Sequence, residues 1–235
     1  VRSPVPSIVH RYPDRALLIV THRCPMFCRY CFRKVALNSG QVRIQQLQGA
    51  YDYLRSTPDV REVILTGGDP LMLSTARLQQ ILAALQGIDS IKRIRIHSRM
   101  PVTLPMRIDG PLLEALHAAG PVHLVTHFNH PRELTHEARA AIDGLRRAGV
   151  VLANQAVLLA GVNDDLETQT ALWQQLVDWG VRPYYLHHPD LTVGTQHFRV
   201  SIDRGLALSR SLRGSISGLA QPTYVLDIPG GLGKV

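Results

Sequence analysis

Cys24-Pro25-Met26-Phe27-Cys28-Arg29-Tyr30-Cys31 holds every cysteine of the chain, at the spacing C-x3-C-x2-C. Three thiolates on so short a loop match three irons of a [4Fe–4S] cluster. They leave the fourth iron without a protein ligand, where a small molecule can bind. Soft thiolates select iron–sulfur or zinc. On the cysteines alone, a zinc site completed by a histidine such as His22 stays open, as do three unrelated core thiols. An odd count packed into one loop does not make a disulfide framework and suits a reducing, cytoplasmic setting.

A β-rich run, Ala16–Thr21, leads into that loop. Similar runs recur at Glu62–Thr66, Arg93–His97, Val122–Thr126, Val151–Val157, Pro183–His187 and Thr223–Asp227. Their spacing of about 30 residues is that of βα units. Helical periodicity fills the gaps. Leu78, Ile81, Leu82 and Leu85 recur at i, i+3, i+4, i+7 ahead of Gly87. Thr135 is placed to cap a helix with Ala138, Ile142 and Leu145 inside, ending at Gly149. Leu172, Trp173, Leu176 and Val177 mark another, ending at Gly180. Each glycine is expected to close its helix with a left-handed residue. Six or seven such units make an incomplete or complete barrel, with an open doubly wound sheet as the alternative.

Polar clusters follow most strand ends: His22–Cys31, Gly67-Gly68-Asp69, His97-Ser98-Arg99, His127-Phe128-Asn129-His130, Asp190 and Asp227. In parallel α/β folds the strand C-termini converge on one rim, so these clusters point to catalysis.

The chain has 235 residues, 45% of them apolar, and a formal net charge of +8. That size carries a large core. No apolar run approaches the ~20 residues that span a bilayer, so a membrane partner is not expected. No leader peptide is read at the start. The basic residues are mostly arginine, with Lys34, Lys92 and Lys234 the only lysines, and they are scattered. No basic helix or aromatic platform for nucleic acid is visible, so nucleic acid is not an expected partner. Arginines that hold phosphates and carboxylates are the better use of this charge. The chain opens on Val1 and not on methionine, which suggests a piece of a longer protein.

Further segments match one branch of the radical S-adenosylmethionine (SAM) enzymes. They are His10-Arg11-Tyr12-Pro13-Asp14-Arg15, Leu65-Thr66-Gly67-Gly68-Asp69-Pro70, Thr126-His127-Phe128-Asn129-His130-Pro131, Asn154-Gln155 and Pro229-Gly230-Gly231-Leu232-Gly233-Lys234. With the cysteine loop, they make the chain resemble the lysine 2,3-aminomutase family from about Val9 to its end. The resemblance implies an α/β fold, a partial (β/α)6-type TIM barrel of the radical SAM type. It implies one aminomutase domain over 1–235, with residues 1–15 as an N-terminal segment for the phosphate of pyridoxal 5′-phosphate (PLP) and 223–235 as the C-terminal segment carrying its lysine.

Residue roles follow from the same resemblance. Cys24, Cys28 and Cys31 would hold the cluster. Gly67, Gly68 and Asp69 match the motif that meets the SAM amino group. Lys234 would bond covalently to PLP, and Arg11 and Arg15 would hold its phosphate. Arg33 matches an arginine for the substrate carboxylate. Asp190 and Asp227 match the two acids that receive the distal ammonium of lysine, a sensible counter-charge. Ser98, Arg99, His127, Asn129, His130, Asn154 and Gln155 are assigned to the SAM and PLP walls. The implied activity is conversion of L-lysine to β-lysine by 1,2-amino migration.

The implied partners are the amino acid and an electron donor such as flavodoxin or ferredoxin, in the cytoplasm. A homo-oligomer stays open, but position 189 is proline, which leaves no cysteine for the interface zinc of some relatives. The same chemistry supplying β-lysine for elongation factor P, or acting on arginine or ornithine, is the alternative. A zinc-stabilised nucleic-acid-binding module is the remote one.

Overall fold

The computed structural model of the protein describes residues 3–34, 42–228 and 233–235. One eight-stranded sheet runs β1 to β8 in sequence order. β1 (Ile8–Tyr12) pairs antiparallel with β2 (Arg15–Thr21). The other strands are β3 (Glu62–Gly67), β4 (Arg93–His97), β5 (Val122–Thr126), β6 (Val151–Val157), β7 (Arg182–His187) and β8 (Thr223–Val225). From β2 to β8 every neighbouring pair is parallel. The sheet has the form of the partial barrel that the resemblance implies: β2 to β7 are its six longer parallel strands, and β8 adds a three-residue seventh.

Helices return the chain between the strands. They are α1 (Ile44–Arg55), α2 (Thr75–Gln86), α3 (Met100–Thr103), α4 (Gly110–Ala118), α5 (His136–Arg147), α6 (Leu166–Asp178) and α7 (Ile202–Ser215). Their starts are capped by side chains that take up a free backbone N–H: Ser74 from Arg77, Asp109 from Leu112, Thr135 from Ala138, Asp165 from Thr168. The apolar positions at helical spacing are buried, among them Leu78, Ile81, Leu82 and Leu85 on α2 and Ala138, Ile142 and Leu145 on α5. They form one core against the outer face of the sheet, with Trp173 and Phe128 among its largest fully buried side chains.

Gly149 and Gly180 adopt φ of 81° and 74° after α5 and α6, as the glycine stops predict. Gly87 does not: its φ is −76°, so α2 ends without a left-handed residue. The motif at Pro13-Asp14 turns out to be a two-residue hairpin turn, with Tyr12 opposite Arg15.

The inner face of the sheet is polar. Strict alternation in β4 turns Ile94 and Ile96 toward the helices and Arg93, Arg95 and His97 toward the barrel interior. At the N-terminal mouth Arg95 bonds Glu62 at 2.6 Å and Tyr184 at 3.0 Å. At the C-terminal mouth lies the larger site. The sheet curls until residues from its two edges touch: Arg11 of β1 meets Asp227 at 3.5 Å, just beyond β8. Among the described residues no helix is long and apolar enough to cross a membrane.

Candidate active site

The cysteine loop leaves β2 and turns back on itself. The Cys31 N–H bonds the Cys28 carbonyl at 3.1 Å, and the Lys34 N–H bonds the Cys31 carbonyl at 3.3 Å. These turns bring Cys24, Cys28 and Cys31 to the wall of one cavity. Gly67, Gly68, Asp69, Arg33, His97, Arg99, His127, Gln155 and Asp190 line the same space. The cavity is open to solvent at its mouth.

The two glycines have a local task. A Cβ on Gly67 would lie 2.1 Å from the Thr21 carbonyl oxygen, and one on Gly68 would lie 2.2 Å from that of Arg23. The close approach lets the Gly68 N–H bond Thr21 at 2.7 Å and the Asp69 N–H bond Arg23 at 2.8 Å. The motif therefore clamps the end of β3 onto the segment that feeds Cys24.

Asp69 is buried and accepts from Leu71 N–H (3.0 Å), the Ser98 hydroxyl (2.8 Å) and Arg99 N–H (2.8 Å). Burial pushes its pKa up, and those hydrogen bonds oppose the rise. It staples the β3 and β4 loops together. Arg99 links three parts: Nη1 donates to Cys28 Sγ at 2.9 Å, Nε to the His127 carbonyl at 3.2 Å, and Nη2 to Glu133 at 2.5 Å. Asn129 extends that bracket, donating to the Tyr30 hydroxyl at 2.8 Å and accepting from Val157 N–H at 2.8 Å. Asn154 holds both backbone groups of Phe128, at 2.7 and 3.0 Å. His130 accepts from Arg132 N–H at 3.0 Å and caps a short turn, outside the cavity lining.

The thiols fit a cationic cluster. Burial, then the charges of Asp69, Cys31 and Cys28, push Cys24 up to about 12, with Arg33 opposing. Burial also raises Cys31. Cys24 and Cys31, whose ionisation is held back, favour a positive centre that takes up their charge. Among the described residues, no three His, Cys, Asp or Glu side chains gather as one ion requires. In a cluster the thiolates bond separate irons.

A second group assembles beside this cavity from opposite ends of the chain. The Lys234 N–H donates to the Tyr12 hydroxyl at 3.2 Å, and the Lys234 ammonium pairs with Asp227. Its Nζ lies 5.8 Å from the centre of the Tyr185 ring. Arg15 stacks over the Tyr12 ring at 3.8 Å and pairs with Asp14 at 2.7 Å. An amine near one aromatic face, with Arg11 on the same Asp227 and Arg15 stacked on Tyr12, fits an aldehyde cofactor with a phosphate. Residues 229–232, the first four of the Pro-Gly-Gly-Leu-Gly-Lys segment, lie outside the described residues. Asp190 stands at the rim, exposed by area yet flanked by protein. That flanking and the Asp227 charge raise its pKa, while Lys234 opposes.

Sequence reading assigns no individual role to His97, His187, Glu133, Tyr30, Tyr12 or Tyr185. His127 bonds Gln155 at 3.1 Å and stands 5.7 Å, edge to face, from His97. Burial holds His127 down at about 3, helped by the charges of Arg99, His187 and Arg33. Burial and Lys234 hold His187 at about 4, against the pull of Asp227. The floor is therefore neutral near pH 7. The alternation of β4 was the signal that marks His97 as inward-facing.

Comparison with known proteins accords with this arrangement. The Radical SAM superfamily model matches residues 18–169. An L-lysine 2,3-aminomutase from Acetoanaerobium sticklandii is 45% identical over 99% of this chain and 56% of its own. A glutamate 2,3-aminomutase from Clostridioides difficile is 41% identical over 99% of this chain and 56% of its own. The chain thus spans about half the length of these curated relatives. Among solved structures, Streptococcus suis SuiB bound to S-adenosylmethionine superposes with a TM-score of 0.66, 15% identity, and coverage of 93% of this chain and 51% of that one, a likeness of fold. The chain belongs to the radical SAM superfamily and, within it, to the lysine 2,3-aminomutase family.

Proposed function

We propose that the protein is a radical SAM, PLP-dependent 2,3-aminomutase that converts L-lysine to β-lysine. One observation carries this reading. The arginine-rich β1 edge and the Lys234 segment meet around Asp227, and Asp190, which lines the three-thiol cavity, feels the charges of both Asp227 and Lys234. When bound, the cluster with SAM supplies a hydrogen-abstracting carbon radical, and PLP supplies the carbon–nitrogen double bond across which an amino group can migrate.

The chain's own residues bind, orient and shield. Cys24, Cys28 and Cys31 hold the cluster, and Arg99 keeps Cys28 in place through its 2.9 Å bond. Arg33 faces the cavity with Nη1 on the Gly67 carbonyl at 3.2 Å, and the rest of its fork suits a substrate carboxylate. Arg11 and Arg15 suit the PLP phosphate. The neutral imidazoles of His127 and His187 add polar contacts without adding charge. Asp190 and Asp227 suit a distal ammonium and repel a distal carboxylate, which favours lysine over glutamate. Lys234 has to leave Asp227 before that acid can take a substrate ammonium.

Arginine and ornithine also carry a distal cation, so a panel of amino acids belongs in the test. The experiment is anaerobic reconstitution with iron, sulfide and PLP, then SAM, dithionite and L-lysine. β-Lysine is the expected product. SAM cleavage without β-lysine would remove the substrate assignment and leave the radical SAM core standing.

A further inference from the structure

His97 ends β4 and lines the cavity, yet its buried Nε2 has no hydrogen-bond partner. Of the groups near it, His127 is satisfied by Gln155, whereas Arg95 Nε and Thr126 Oγ1 also lack a partner. A buried polar atom left unpaired costs about 1–3 kcal/mol and calls for an explanation, of which a missing ligand is one. The charged or titratable groups that face His97 are His127, Arg95, Arg33 and His187, with no acid among them. Burial first, and then those neighbours, keep the ring neutral, with one N–H to give, and Arg95 and Arg33 make its surroundings electropositive. With Nε2 carrying that proton, the missing partner is an acceptor, and the neighbouring arginines favour an anionic one. Arg33, which reaches the same wall, uses Nη1 on the Gly67 carbonyl and has further donors.

We infer that His97 Nε2 donates a hydrogen bond to a carboxylate bound beside Arg33, making His97 a specificity-determining residue of the cavity. The inference rests on the proposed function, because two carboxylates are then available, that of the amino-acid substrate and that of SAM. The edge-to-face contact with His127 fixes the ring plane, so the donor is aimed before the ligand arrives.

The test uses protein reconstituted with cluster and PLP, without reductant, and reads binding by calorimetry. L-lysine, L-lysinamide and SAM are titrated into wild type, His97→Leu, His97→Phe and His97→Gln. Losing a charge-assisted hydrogen bond corresponds to roughly a tenfold to hundredfold loss of affinity. With the substrate as source, Leu and Phe weaken L-lysine by about tenfold or more, leave L-lysinamide and SAM unchanged, and Gln restores much of the loss. With SAM as source, SAM weakens instead while the preference for L-lysine over L-lysinamide holds. Either result supports the inference and names the carboxylate. Unchanged affinity for all three ligands in a variant of normal iron content and melting temperature overturns it. Two apolar variants guard against one that does not fold. Wild type that binds SAM but not L-lysine would refute the lysine assignment and leave the SAM titration to decide His97.

Discussion

Gly68→Ala gives the sharpest check on the clamp between β3 and the cysteine loop. The added Cβ would sit 2.2 Å from the Arg23 carbonyl oxygen and 2.6 and 2.7 Å from the Arg23 carbonyl carbon and nitrogen. All three are backbone atoms, so no side chain can swing away. Relief requires the two segments to separate, which strains or breaks the Gly68–Thr21 and Asp69–Arg23 bonds of 2.7 and 2.8 Å. Overpacking costs ~1–3 kcal/mol and each backbone hydrogen bond ~0.5–1.5 kcal/mol, so about 3 kcal/mol is expected in all. For a chain of this size that is a fall of roughly 6–12 °C in melting temperature. Iron binding should fall as well, because Arg23 precedes Cys24. Gly49→Ala is the control. Gly49 lies inside α1 with nothing within 4 Å of a new Cβ, so alanine should stabilise by ~0.5–1 kcal/mol. Thermal melts and iron analysis of the two variants decide it. A Gly68→Ala protein that melts with wild type and carries full iron would refute the clamp.

Lys234→Ala should lose the visible absorbance of protein-bound PLP while keeping its iron and its SAM affinity; a persisting PLP band would remove Lys234 from that role. Asp227→Asn and Asp190→Asn should each raise the KM for L-lysine by about tenfold, the size of one charged hydrogen bond, and change that for norleucine little. Equal effects on both substrates would count against a distal-ammonium site. Acid should destabilise the fold through its imidazoles. The ordinary value is 6.5, and the folded values of His127 and His187 lie lower, at about 3 and about 4. Their contribution is present above pH 6.5, because the unfolded chain binds more protons below it, and is lost as pH falls from there toward 3. Denaturation followed from pH 7 to pH 4 should show that slope, and His127→Gln should flatten it. An unchanged slope would put the proton uptake elsewhere.

Local sequence determined the thiol set and the element pattern. Three cysteines within one loop and β-rich runs at a steady spacing are short-range signals, and the chain obeys them from Arg93–His97 through Val151–Val157. Some local signals were legible yet unread. Leu47, Ala50, Tyr51 and Leu54 follow the helical period of α1, and Pro13-Asp14 stands between two β-rich runs. Other facts needed the folded chain. Arg11 and Asp227, 216 residues apart, and Tyr12 and Lys234, 222 apart, meet because the sheet curls until its edges touch. Nothing near either residue encodes the other. A local antiparallel bridge pairs Lys234 with Asp227, two residues to which the sequence gives separate tasks. The glycine pair could be read as a motif, but what it must clear became visible only as the distance from a missing Cβ to the backbone of β2's end. His97 stood in the sequence as one polar residue among many. Its unpaired nitrogen is a property of the packed wall, since satisfaction of a buried group depends on every neighbour the fold delivers.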